Sequence, residues 1–93
     1  MSHPPTTAIV TGATRGIGKA IADRLASTGC AVIGTGRHID AASPSGGVQL
    51  VALDLTSEES VRRFVHDVIE PLPHIDILVN NAGINAVASI DRV

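Results

Sequence analysis

Thr11-Gly12-Ala13-Thr14-Arg15-Gly16-Ile17-Gly18 decides how the rest of this chain is read. Before it runs Ala8-Ile9-Val10-Thr11, an apolar strand that Gly12 stops. After it, from Ile17, apolar residues recur at Ile17, Ala20, Ile21 and Leu25, while Lys19, Asp23 and Ser27 share the opposite face. That is the period of an amphipathic helix, with Lys19 and Asp23 as an i,i+4 pair and Gly29 as its C-terminal cap. A glycine-rich turn between a strand and a helix lets the backbone approach a pyrophosphate. The ligand's charge then meets free N–H groups and the positive end of the helix dipole.

The glycine spacing is G-x-x-x-G-x-G, wider than G-x-G-x-x-G, and it turns Thr14 and Arg15 toward a ligand. The plainer alternative is a tight connection whose glycines serve packing alone. A P-loop is excluded, because Ala13 stands where its first glycine is required and Ala20 where its Ser or Thr is required.

Working outward, Ala31-Val32-Ile33-Gly34-Thr35 reads as a second strand. Gly36 to Gly47, with Ser43, Pro44, Ser45 and Gly46, reads as a loop, and Val48 to Leu53 as a third strand. Thr56 with Glu59 forms a capping box that opens a second helix, carrying Val61, Phe64, Val65 and Val68 on one face. Pro71 and Pro73 end it. Ile75 to Asn80 is a fourth strand, Asn81-Ala82-Gly83 a turn, and a further helix opens from Ala86. Strands alternating with helices, and strand interiors apolar on both faces, predict an α/β fold with a parallel sheet covered on both sides. Right-handed crossovers give the strand order 3-2-1-4, the first half of a doubly wound sheet, truncated after the fourth strand.

The end of the second strand chooses the nucleotide. An NAD site presents a carboxylate to the ribose 2′-OH, about 20 residues beyond the glycine turn. Here the sequence is Thr35-Gly36-Arg37-His38, with no acid. Arg37 offers a guanidinium fork to a 2′-phosphate, and Arg15 approaches the same group, so NADP(H) is favoured over NAD(H). The alternative for Arg37 is a solvated loop cation.

Composition narrows the classes. Ninety-three residues, 44% of them apolar, suffice for one small domain with a core. A net charge of -2 with scattered cations, only Arg62-Arg63 being adjacent, argues against nucleic acid or an anionic membrane as partner. Cys30 is the only cysteine, so no internal disulfide forms. No signal peptide or membrane span is legible, and a cytoplasmic location is expected. The four histidines, His3, His38, His66 and His74, show no metal-ligand spacing, so no metal site is expected. With no Tyr and no Trp, this polypeptide alone runs no mechanism that needs a phenol.

These residues resemble the short-chain dehydrogenase/reductase family. Thr11 to Gly18 looks like its T-G-x-x-x-G-[IL]-G signature, Asp54-Leu55 like its adenine-contacting pair, and Asn80-Asn81-Ala82-Gly83 like its N-N-A-G motif. Asp76 to Asn85 is most similar to the 3-oxoacyl-acyl-carrier-protein reductase branch. The resemblance implies a Rossmann fold and hydride transfer between nicotinamide and a carbonyl or alcohol substrate. It implies cofactor contacts from Gly12, Ala13, Thr14, Arg15, Gly16, Ile17, Gly18, Arg37, Asp54, Leu55, Asn81, Ala82 and Gly83. Asp54 would accept from the adenine amino group, Asn81 would contact the ribose near the nicotinamide, and Asn80 would brace the central strands.

The family's catalytic Ser, Tyr and Lys are implied to lie beyond Val93, and Ser89 comes too early to be that Ser. Residues 1–93 are thus expected to be a partial, C-terminally incomplete cofactor-binding domain, inactive alone, from a protein that forms a homo-oligomer when intact. The competing expectation is a non-catalytic dinucleotide-binding module. A methyltransferase on a similar sheet would want an acid where Gly36-Arg37 stands.

Overall fold

The computed structural model describes residues 5–39 and 47–81. The order is β1 (Thr7–Val10), α1 (Gly16–Ser27), β2 (Ala31–Gly36), β3 (Val48–Ala52), α2 (Glu58–Phe64), a π-helical turn (Val65–Ile69) and β4 (Ile77–Val79). The sheet is parallel throughout, in the expected order β3-β2-β1-β4. β1 pairs with β2 from Thr7 against Ala31 to Val10 against Gly34, and with β4 from Ala8 against Ile77 to Val10 against Val79.

Every residue of β1 is buried, which is why its sequence shows no polar alternation. Side chains on opposite faces of a strand feed two separate cores. Ala8, Val10 and Val32 pack with Ala22 of α1 and with Val48. Ile9 and Ile33 pack with Leu53 and Phe64, joined by the half-buried Val61 and Val68. α1 and α2 thus cover opposite faces. Burying an aromatic such as Phe64 contributes about 1.5–3 kcal/mol, and it is the residue that anchors α2.

Local readings change in four places. The buried side of α1 is formed by Gly18 and Ala22, with Ile21, Leu25 and Ala26 beside them. Ile17 and Ala20 face outward, Ile17 being 65% exposed. The helix sits with Gly18 against the glycine turn, and this rotates its first apolar residue away from the sheet. The cap of α2 is Ser57, not Thr56: Ser57 Oγ accepts from Ser60 N–H at 3.2 Å, while Thr56 is taken by Asp54.

Glu59 pairs with Arg63 at 2.7 Å instead of closing a capping box. The π turn, marked by Glu70 N–H donating to Val65 O at 2.9 Å, swings Val65 to the surface while Val68 and Ile69 stay on the core. Finally, β4 starts at Ile77. Asp76 pairs with Thr7 first, its carboxylate accepting from Thr7 N–H at 2.8 Å and its N–H donating to Thr7 O at 2.9 Å.

The Lys19–Asp23 pair is present at 2.7 Å, half-exposed. Among the described residues no helix is long and apolar enough to cross a membrane, and no group of His, Cys, Asp or Glu is placed to hold a metal. Most of the loop before β3, the Ala82-Gly83 pair and the helix expected from Ala86 lie outside the described residues.

Candidate functional site

At the C-terminal ends of β1, β2 and β3 lies a cleft of about 790 Å³. Crevices at this end of a parallel sheet, where strand order reverses, are where such folds bind ligands. Its floor is the turn after β1. Gly12 and Gly16 have φ of +66° and +64°, a region that side chains other than glycine rarely tolerate. The turn is held from both sides. Ala13 N–H donates to Thr35 O at 2.8 Å on β2. Asn81 Nδ2 donates to Gly12 O at 3.0 Å, and Asn81 N–H donates to Thr11 Oγ1 at 2.9 Å. Thr11 Oγ1 also lies 3.3 Å from Asn80 Oδ1.

Gly18 closes this arrangement from below. A Cβ there would collide with Gly12 O and Asn81 Nδ2, so the first turn of α1 reaches the loop only without a side chain. α1 is preceded by Arg15, whose backbone is extended and whose side chain makes no cap bond, and no acid stands in the first turn. Among the described residues, therefore, no side chain caps its leading N–H groups or offsets the positive dipole end at the cleft.

The structure brings most of the sequence-predicted residues to one place. Gly12, Thr14, Arg15, Gly16, Ile17, Arg37, Asp54, Leu55 and Asn81 all line the cleft. Ala13 and Gly18 do not: Ala13 is buried in the core beside β2, and Gly18 supports the turn from beneath. Ala82 and Gly83 lie outside the described residues. Four lining residues escape a sequence reading: Thr35, Gly36, Leu53 and Thr56. Gly36 carried a usable signal, as a glycine at a strand end. A Cβ on it would come within 2.6 Å of the Thr14 methyl, so the mouth of β2 has no space for a side chain beside Thr14.

Charge is distributed along the cleft. Arg15 and Arg37 are exposed cations, and Asp54 is the carboxylate of the lining. The Thr56 hydroxyl, then its N–H, hold the Asp54 carboxyl below the usual carboxylate range, with weaker help from the positive charges of Arg37 and His38.

The family model described as short chain dehydrogenase matches residues 6–93. The chain belongs to the short-chain dehydrogenase family. It is 45% identical over 85 residues to the 3-oxoacyl-(acyl-carrier-protein) reductase of Aquifex aeolicus, covering 82% of this chain and 34% of that protein. Among solved structures, a short-chain dehydrogenase from Streptomyces avermitilis superposes with a TM-score of 0.73 at 35% identity, covering 87% of this chain and 31% of that one. The RhlG/NADP active-site complex of Pseudomonas aeruginosa superposes with a TM-score of 0.69 at 37% identity, over 95% of this chain and 38% of that one. The chain thus spans about a third of the length of the curated relatives it matches.

Within this short-chain dehydrogenase the four-stranded sheet is the first half of a Rossmann fold, and the family is one of oxidoreductases. The glycine turn, Arg15, Arg37 and Asp54 thus border one cleft.

Proposed function

We propose that residues 1–93 are the cofactor-binding part of an NADP(H)-dependent oxidoreductase acting on a carbonyl or alcohol, with 3-oxoacyl thioesters as the substrate class. The observation that carries this reading is the meeting of an uncapped α1 start, Arg15 and Arg37 in one cleft, with no acid at the end of β2. The Aquifex relative is named for reduction of a 3-oxoacyl carrier-protein substrate, and the Pseudomonas structure contains NADP. Both point the same way.

In this reading the backbone from Gly12 to Ile17 receives the diphosphate, and Arg15 and Arg37 flank the 2′-phosphate. Asp54 accepts from the adenine amino group above Leu55. Asn81, which already steadies Gly12 through Nδ2, contributes at the nicotinamide ribose. Nicotinamide, when bound, supplies or takes up the hydride. The chain's own work is to bind, orient and discriminate. With no tyrosine among the 93 residues, proton transfer to the substrate falls to groups outside them, and the chain alone is inactive.

The test is calorimetric titration of the protein with NADPH and NADH. NADPH is expected to bind at least about tenfold more tightly, the worth of one charge-assisted hydrogen bond. Arg37→Asp is expected to remove that preference by weakening NADPH far more than NADH. Equal weakening of the two would break the assignment of Arg37, and no heat with either would break the cofactor reading.

A further inference from the structure

Gly34 stands in the middle of β2, buried, and is not part of the cleft lining. A glycine inside a strand weakens it, because it adds backbone freedom and packs no side chain. Val32, two residues earlier on the same face, shows the alternative: its side chain joins the core with Ala22 and Val48. Two physical causes can hold a glycine in a strand, a backbone conformation closed to other residues or a lack of space. The first does not apply, since the positive-φ glycines among the described residues are Gly12, Gly16, Gly29 and Gly47. The second does. A Cβ on Gly34 would stand 2.7 Å from Ala13 Cβ, 3.1 Å from Leu50 Cδ2 and 3.2 Å from Val48 Cγ1. The leucine and valine contacts are with side-chain ends, which can give by a few tenths of an ångström. Ala13 Cβ cannot swing aside, because it is bonded directly to the backbone of the turn.

Ala13 is itself buried, and its N–H donates to Thr35 O at 2.8 Å, one residue further along β2. The turn is thus seated on β2 by one methyl group and one hydrogen bond. Its neighbours Gly12 and Thr14 both line the cleft, so a lift of Ala13 moves them too. We propose that Gly34 is a positioning residue for the cleft: the space above it lets the Ala13 methyl settle onto β2, which sets the height at which the glycine turn presents its amides to a diphosphate. The inference rests on the dinucleotide reading and adds to it a residue that acts on the cofactor without touching it. Only one methyl group fits between turn and strand. A second one raises the turn, and because NADPH and NADH share the diphosphate, both lose affinity by the same factor.

The experiment titrates the full chain with NADPH and NADH by calorimetry and follows denaturant unfolding of each variant. Gly34→Ala is expected to weaken both dinucleotides by about tenfold, with the ratio of the two affinities unchanged. Ala13→Gly, which empties the seat, is expected to weaken both by about fivefold. Adding Gly34→Ala to Ala13→Gly puts the methyl group back from the strand side and is expected to recover most of that loss. The same substitution therefore lowers affinity in the wild-type chain and raises it in the Ala13→Gly chain, a reversal that can be read even if Gly34→Ala alone does not fold. A merely structural role would move the unfolding midpoints and leave the affinities of the folded variants unchanged. That result, or a double variant that binds no more tightly than Ala13→Gly, overturns the role of Gly34 and leaves the cofactor reading standing. Binding of neither dinucleotide by the wild type overturns both.

Discussion

The two helices of this chain begin in opposite ways. α2 starts with Ser57 as a side-chain cap and with Glu58 and Glu59 in its first turn, so its N–H groups and dipole are compensated from within. α1 starts with Arg15, whose side chain provides no cap, and has no acid in its first turn. A cation at that end adds to the unfavourable field of the dipole. Structural stability alone would choose the α2 solution at both places. The difference is what the proposed function expects: an α1 end left open for an anion, and an α2 end that serves as internal architecture holding Asp54 in place.

The contrast is most strongly broken at Gly18. Gly18→Ala presses a methyl group on Gly12 O and Asn81 Nδ2, which cannot both remain where they are. We expect NADPH affinity to fall by about a hundredfold and folding stability by about 1–3 kcal/mol, as for other overpacked sites. Calorimetry and denaturant unfolding would measure the two, and an unaltered affinity would show that the turn tolerates displacement.

A middle-sized effect comes from giving α1 the start that α2 has. Arg15→Asp places an acidic cap at the open helix end. Folding stability is expected to rise by about 0.5–1 kcal/mol, while NADPH binding weakens by tenfold or more through charge repulsion and loss of the guanidinium. A variant that gained stability without losing affinity would show that the open end serves no ligand.

The smallest effect concerns the other helix. Ser57→Ala removes the α2 cap and should cost about 1 kcal/mol of stability, read as a lower unfolding midpoint. Because Ser57 Oγ holds Ser60, which in turn holds Asp54, NADPH affinity should fall only a few-fold. A loss as large as that of Gly18→Ala would erase the distinction between a ligand-facing and an internal helix start.

The sheet order was legible because β1 is apolar from Ala8 to Val10 and a glycine or proline stands shortly before each following strand. The cleft was legible where glycine spacing and charge carried it, at Gly12, Gly16, Arg15 and Arg37. The detail that escaped was set by near neighbours competing for one partner. Thr56 and Ser57 are adjacent hydroxyl residues, and either could cap α2. The Asp54 carboxylate two positions upstream captures Thr56 and leaves the cap to Ser57. Val65 continues the helical period in sequence, yet the π turn rotates it to the surface. Thr35 and Leu53 read as the last residues of their strands, and only the folded sheet shows that they also border a cleft.

Asn81 reaches Gly12 across 69 positions of sequence, and Asp76 reaches Thr7 across the same separation. During synthesis the glycine loop emerges from the ribosome early, but the donor that sets its carbonyl emerges late. Closing so long a stretch of chain has an entropic cost that short-range contacts do not. The nascent polypeptide therefore holds every amide of the glycine turn long before it can fix their direction. Shaping of the loop waits for the docking of β4, the last of the four described strands.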